Sequence, residues 1–261
     1  MMEAEQMTRG QLEAEFSALA RTMYFTGSTV AAFAKGATRG QLAAVCDLIR
    51  SENATREENR KARLLKRAKF PAVKSVEGFD FSEVSMPDGY TVDDMLSLGF
   101  VEAAQDFVFY GGCGRGKTHL SIAIGHEAVM ARKQVYFADC SRLVEDLKHA
   151  SARETLARRM RFYEHCSLLI VDELGYLDIG KEGADLLFQL VNRRYALKRS
   201  TIVTTNVPVG RWGDVFGSNV TASAVADRLC HHCAMIKITG RSYRLKDVSI
   251  GGEDGREEKG A

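Results

Sequence analysis

The chain has 261 residues, 45% hydrophobic and 27% charged, and its 36 basic against 34 acidic side chains give a formal charge of +2. That composition can bury a core in roughly one to two domains, and it excludes a uniform polycation. Any surface for nucleic acid must therefore come from local charge segregation. No apolar run approaches the ~18 residues that span a bilayer. Met1 to Gly10 is polar and lacks the apolar core of a signal peptide. Six cysteines (Cys46, Cys113, Cys140, Cys166, Cys230 and Cys233) show no even framework of spacings. A cytoplasmic protein with free thiols and no membrane partner is the expectation.

Residues 1–74 read as a small helical N-terminal region. Leu12, Phe16, Leu19 and Met23 recur at helical spacing, a second helix is expected over Arg39–Arg50, and a third over Thr55–Lys69, ending before Pro71. Gly27 and Gly36 are expected to break the stretch between the first two. From Arg56 to Lys74, eight basic side chains face only Glu57 and Glu58. Arg56, Arg60, Arg63 and Arg67 follow i, i+4, i+7, i+11 along one helical face, with Lys66 beside them. Such a stripe is either a solvated face or a row of contacts to nucleic-acid phosphates.

Residues 75–99 carry Gly78, Pro87 and Gly89 among isolated apolar residues and read as a connecting segment, with Phe79 and Phe81 packed on the domain that follows. Residues 100–250 alternate short apolar runs with amphipathic stretches. Strands are expected at Phe107–Tyr110, Val135–Ala138, Leu168–Val171, Thr201–Thr205 and Met235–Ile238. Helices are expected at Lys117–Ala131, Ser141–Ala150, Glu154–His165, Glu182–Ala196 and Ala222–His231. That alternation predicts an α/β domain with a five-stranded parallel sheet covered on both faces. Gly251–Ala261, rich in glycine and charge, reads as a disordered tail.

Gly111-Gly112-Cys113-Gly114-Arg115-Gly116-Lys117-Thr118 satisfies GxxxxGK[ST] at every fixed position, between an apolar strand and an amphipathic helix. Glycines let successive amides turn inward as an anion nest, and the helix N-terminus adds positive potential. In that arrangement Lys117 reaches the β- and γ-phosphates of ATP and the Thr118 hydroxyl ligates Mg²⁺. Cys113 occupies a variable position of the loop. Leu168 to Val171 ends in Asp172-Glu173, about 55 residues further on. Asp172 is placed as the second Mg²⁺ ligand and Glu173 to polarise the attacking water, which indicates hydrolysis more than transfer. Thr201 to Thr205 ends in Asn206, either a water-orienting or γ-phosphate contact or an ordinary turn residue ahead of Val207-Pro208.

With these strand ends in view, the chain resembles the IstB family of transposition helper ATPases, relatives of the DnaC-type helicase loaders within the AAA+ class. The resemblance covers about Arg56 to Lys246. It rests on Arg67-Ala68-Lys69-Phe70-Pro71 with Lys74, Phe79-Asp80-Phe81, Gly116-Lys117-Thr118-His119-Leu120 and Val171-Asp172-Glu173-Leu174-Gly175-Tyr176-Leu177. It continues through Leu187-Phe188-Gln189-Leu190-Val191, Arg193-Arg194-Tyr195, Thr205-Asn206, Trp212-Gly213-Asp214-Val215-Phe216-Gly217, Asp227-Arg228-Leu229 and Gly240-Arg241-Ser242-Tyr243-Arg244.

The resemblance implies an AAA+ core of strand order 5-1-4-3-2, nucleotide contacts from Gly111 through His119, and ATP-dependent homo-oligomers on duplex DNA. It also implies a transposase partner encoded by the same mobile element. By the same analogy Arg228 is an arginine finger toward a neighbouring subunit, or else pairs with Asp227 or Asp185 in its own, and Arg244 is a nucleotide-sensing arginine or an edge-strand residue. It tips the stripe of Arg56, Arg60, Arg63, Lys66 and Arg67 toward DNA. A second cluster, Arg153, Arg158, Arg159 and Arg161, extends that surface or lines a subunit interface. The phosphate loop departs from the family in having Gly112-Cys113 where a proline is usual, and the first ~45 residues match poorly. A DnaC-type replicative helicase loader is the alternative function. Cys230-His231-His232-Cys233 invites a zinc reading, but consecutive residues cannot all reach one tetrahedral ion, so no zinc site is expected.

Overall fold

Strand order is where sequence expectation and structure meet most directly. The computed structural model describes residues 7–217, 219–230 and 233–239. Six strands form one sheet: β1 (Val84–Ser85), β2 (Asp106–Tyr110), β3 (Val135–Asp139), β4 (Leu168–Leu174), β5 (Ser200–Thr205) and β6 (Cys233–Ile238). Their order is β1-β6-β2-β5-β4-β3. The five longer strands are parallel and stand in the expected 5-1-4-3-2 order. The expected strand count needs correction. β1, two residues of the connecting segment, pairs antiparallel with β6 and makes the sheet six-stranded and mixed. A two-residue strand carries no period of its own, and only its pairing with Ile238 and Lys237 defines it.

The parallel strands are buried on both faces, which is why they read as continuous apolar runs. Side chains nevertheless alternate between two cores. Val108, Leu169, Val171 and Val203 pack with α7 (Cys140–Ala152), α8 (Leu156–Glu164), α9 (Gly180–Ala196), α10 (Trp212–Phe216) and α11 (Asn219–Cys230). Phe107, Phe109, Leu168, Ile170, Ile202 and Ile236 pack with α6 (Lys117–Met130) and with Phe70, Phe79 and Phe81. Arg194 is 1% exposed yet satisfied. It donates to the carbonyls of Tyr163 (2.7 Å), Cys166 (3.1 Å) and Ser200 and to Thr201 Oγ1 (3.1 Å), tying α9 to the strand ends it crosses.

The chain divides into two compact units, Met1–Arg63 and Leu64–Ala261. The first has its own core of Leu12, Phe16, Ala20, Leu42, Cys46 and Ile49. Within it, α1 (Arg9–Thr22) starts in a capping box of Thr8 and Gln11. Two helical expectations need correction. The stretch bounded by Gly27 and Gly36 is itself a helix, α2 (Gly27–Gly36), with the glycines at its ends. The expected helices at Arg39–Arg50 and Thr55–Lys69 are one helix, α3 (Arg39–Ala68), of 30 residues. Ser51-Glu52-Asn53-Ala54 contains neither Gly nor Pro, and Glu52 pairs with Arg56 one turn on at 2.6 Å, so nothing there stops the helix. It ends where Lys69 turns left-handed (φ 60°) two residues before Pro71.

Arg244, His231, His232 and the tail 251–261 lie outside the described residues, as does the side chain of Cys230. No helix among the described residues is long and apolar enough to cross a membrane.

Candidate functional site

The phosphate loop leaves the C-terminal end of β2, held between β6 and β5. At Gly111 a Cβ would lie 2.2 Å from the Ile238 carbonyl oxygen, so the chain passes β6 too closely for any side chain. Gly116 has φ +94°, a left-handed bend that frees α6 to start at Lys117. The Lys117 ammonium arches back over the loop and donates to the carbonyls of Gly111 (2.9 Å) and Gly112 (2.8 Å). Burial lowers its pKa, while Cys113, Asp172 and Glu173 act in the opposite sense.

Asp172 is buried at the end of β4. Thr118 Oγ1 donates to its Oδ1 (2.9 Å), and Thr204 Oγ1, from β5, donates to the same oxygen at 2.5 Å. Burial raises the Asp172 pKa; the two hydroxyls and Lys117 oppose this, and Asp139, its neighbour in register on β3, adds to it. Thr204 Oγ1 also accepts from the Glu173 amide at 2.9 Å. One buried hydroxyl thus fixes both the Asp172 carboxylate and the backbone of Glu173. Pairing of β4 with β5 slips between Val171 and Leu174, and Glu173 takes φ 60°. A left-handed non-glycine residue carries strain on the order of 1–3 kcal/mol and persists where its surroundings impose it. The result here is that the Glu173 side chain, near the end of β4, is exposed and lines the cavity.

Asn206, exposed at the end of β5, lies with Nδ2 3.7 Å from Cys113 Sγ across the loop. The cavity these groups share has a volume of about 690 Å³, within the range of small-molecule sites. Its walls include Lys74, Gly78, Phe79, Ile122 and Tyr176 as well as Cys113 to His119, Glu173, Thr204 and Asn206. His119 Nε2 lies 2.8 Å from the Ser75 carbonyl and its ring 5.5 Å from Phe79, tying the connecting segment to the loop. The structure therefore brings together Gly111–His119, Asp172, Glu173 and Asn206. Sequence reading missed Thr204 and Tyr176. A threonine within a β-branched run carries no signal beyond strand propensity, whereas the exposed Tyr176 follows the Asp-Glu pair closely enough to have been suspected.

The donor set fits a hard divalent cation. A threonine hydroxyl and a carboxylate lie side by side next to the loop, and no cluster of three metal-binding side chains among the described residues competes for it. Arg228 does not line the cavity. It lies on α11, pairs with Asp227 at 3.5 Å and sits over the Tyr195 ring at 5.2 Å. Of the α3 stripe, Arg56 is paired with Glu52; Arg60, Arg63, Lys66 and Arg67 are exposed and form no ion pair with any described residue.

The profile of the IstB-like ATP binding protein family matches residues 18–250. An insertion sequence IS232 ATP-binding protein of Bacillus thuringiensis subsp. berliner is 42% identical over 192 residues, 74% of this chain and 76% of that one. An insertion sequence IS21 ATP-binding protein of Pseudomonas aeruginosa is also 42% identical, over 70% of this chain and 69% of its own. Among solved structures, AMPPCP-bound DnaA from Aquifex aeolicus superposes with a TM-score of 0.52 over 66% of this chain and 51% of its own, at 18% identity, a likeness of fold. The chain belongs to the IstB-like ATP binding protein family and is an ATPase with an AAA+ P-loop fold.

Proposed function

We propose that this ATPase works in the cytoplasm as an Mg²⁺-dependent homo-oligomer that assembles on duplex DNA and assists the transposase encoded by the same mobile element. The observation that carries the reading is the convergence on one cavity of the phosphate loop, Thr118 with Asp172 bonded behind it, and two strand-end polar residues, Glu173 and Asn206. The insertion-sequence names of the relatives support the partner, and the exposed basic face of α3, where Arg60, Arg63, Lys66 and Arg67 form no ion pair with any described residue, supports the DNA.

In this reading the loop amides and Lys117 bind the phosphates of ATP, with Lys117 giving up its contacts to two backbone carbonyls. Thr118 and Asp172 hold the metal, which when bound neutralises charge on the phosphates. Glu173 accepts a proton from the attacking water and Asn206 orients that water. Arg228 serves a neighbouring subunit, because within its own it lies outside the cavity wall. Arg244 is the second nucleotide-sensing arginine. Arg56, Arg60, Arg63, Lys66 and Arg67 contact backbone phosphates, which gives little sequence preference.

The test is binding of the full chain to duplex and single-stranded DNA with ATP, ADP or no nucleotide, alongside Lys117→Ala and a phosphate-release assay. Duplex binding that needs ATP, builds large assemblies and is lost in Lys117→Ala is the expected result. Indifference to duplex DNA under every nucleotide condition would sink the reading and turn attention to a helicase partner.

A further inference from the structure

At the opposite end of the sheet from the nucleotide cavity, the second unit carries a basic cleft that the ATPase chemistry does not use. A cleft of about 300 Å³ is lined by Arg67, Arg158, Arg161 and His165 beside the first residues of β3. A second, of about 430 Å³, shares Arg158 and Phe162 with it and adds Arg153, Arg159 and His149. Arg158, Arg161 and Phe162 follow helical spacing on α8 and so share one face, with His165 at its C-cap.

Of the acids nearby, Glu154 is exposed beside Arg153, whereas Asp146 and Glu164 are already engaged. Asp146 is hydrogen-bonded by Arg159 and by the Tyr163 hydroxyl (2.7 Å), and Glu164 pairs with Arg193 (3.4 Å) and His165 (3.8 Å). Arg67, Arg153, Arg158 and Arg161 form no ion pair with any described residue. In their midst Phe162 stays 37% exposed, although Tyr136 and Tyr163 meet its ring edge-on at 4.9 and 5.1 Å and the Arg159 guanidinium, itself held by Asp146, lies over the ring at 4.8 Å. A partly exposed aromatic ring, held by its neighbours and flanked by guanidinium groups of which Arg67, Arg158 and Arg161 form no ion pair with any described residue, matches the way proteins hold a nucleic-acid strand. The cations track its phosphates and a base stacks on the ring.

We infer that this cleft is a second DNA contact, in which Arg67, Arg158 and Arg161 hold backbone phosphates and Phe162 stacks a base displaced from its pair. This rests on the duplex-DNA reading above and deepens it, since the strand bound here is locally opened. Arg67 belongs to both surfaces; the other cleft residues belong to this one alone.

The experiment measures binding of the full chain with ATP to an intact duplex and to the same duplex with a central mismatched bubble, across a salt series. The variants are Arg158→Ala/Arg161→Ala and Phe162→Leu, which keeps apolar packing on Tyr136 but removes the stackable ring; thermal melting confirms that each is folded. The parent should favour the bubble by about ten-fold, and Phe162→Leu should lose that preference. Arg158→Ala/Arg161→Ala should lower the slope of log affinity against log salt by about 2 on both DNAs. If the parent binds DNA but both variants match it in affinity and slope, the cleft is overturned and the duplex-DNA reading stands. A lowered slope with an unchanged bubble preference keeps the phosphate contact and overturns the stacking. If the parent binds neither DNA, the duplex-DNA reading itself falls and takes the cleft with it.

Discussion

The C-terminal ends of the sheet and the basic face of α3 both carry charge, but they hold it differently. At the strand ends Asp172 is buried and Lys117 half-buried, each held by hydrogen bonds to its surroundings, and only Glu173 is exposed. Thr118, Thr204 and Asp172 form one hydrogen-bonded cluster, and Glu173 is turned outward by its own left-handed backbone. On α3, Arg60, Arg63, Lys66 and Arg67 extend into solvent. Preorganised groups of the first kind act on a single reacting centre and are intolerant of small displacements. Solvated cations of the second kind act additively and are screened by salt. One substitution should therefore abolish function in the first region and only tune it in the second.

The largest effect expected is from Asp172→Asn or Lys117→Ala. Each should lower ATP turnover by roughly 10²–10³-fold, comparable to losing one preorganised charge contact in an active site. Phosphate release under saturating ATP checks this. If either variant kept more than a tenth of parental turnover, the strand-end cluster would not be the catalytic centre.

Burial alone does not make a carboxylate functional, and Asp106 is the control. It lies 8% exposed at the other end of β2, where its Oδ1 accepts from the Thr201 amide at 2.6 Å, and burial pushes its pKa up to about 7, against the opposing pull of that hydrogen bond and of Arg194. The folded pKa exceeds the unfolded value of ~3.9, so the folded state binds the proton more tightly and stability is lost as pH rises from about 4 through 7. The loss amounts to about 4 kcal/mol at most. Asp106→Asn should flatten that part of the profile, so that its unfolding free energy gains on the parent between pH 5 and pH 8 in urea titrations. A constant difference between the two across that range would refute it.

Legibility followed the same division. The parallel strands announce themselves because burial on both faces demands continuous apolar residues, and the loop at Gly111–Thr118 because phosphate binding fixes residue types at fixed spacing. What the strand-end cluster does with Thr204 was not legible. The residue satisfies β propensity, and only the register of β5 against β4 places its hydroxyl between Asp172 and Glu173. Arg194 entered only as part of the Arg193-Arg194-Tyr195 segment that carries the resemblance, and only the fold shows that it is buried and structural. The two-helix reading of α3 failed for the opposite reason: an unbroken helix is signalled by the lack of a breaker, which short-window periodicity does not score.

Thr204 also sharpens the comparison from within. Thr204→Val keeps the shape and removes the hydroxyl that orients Asp172 and receives the Glu173 amide, while Thr204→Ser restores it. Turnover should fall roughly ten- to a hundred-fold in the valine variant, in the range of a lost positioning contact, and recover with serine. The Mg²⁺ concentration for half-maximal nucleotide binding should rise in parallel, a shift that mere loosening of the β5 core would not produce. Loss of turnover with an unchanged Mg²⁺ requirement would reduce Thr204 to a packing residue.

The smallest single effects belong to α3. Arg60→Ala or Arg63→Ala should leave ATP turnover without DNA at the parental level, weaken duplex binding only a few-fold near physiological salt, and reduce the salt slope by about 1 per phosphate contact removed. The double variant should behave as the sum, because each side chain is solvated and neither is paired with a described residue. Arg56 should contribute less than either, since its guanidinium is already shared with Glu52 at 2.6 Å. If Arg56→Ala proved as damaging as Arg60→Ala, the stripe would not act as independent cations. Its geometry, and not its net charge, would then be what the DNA reads.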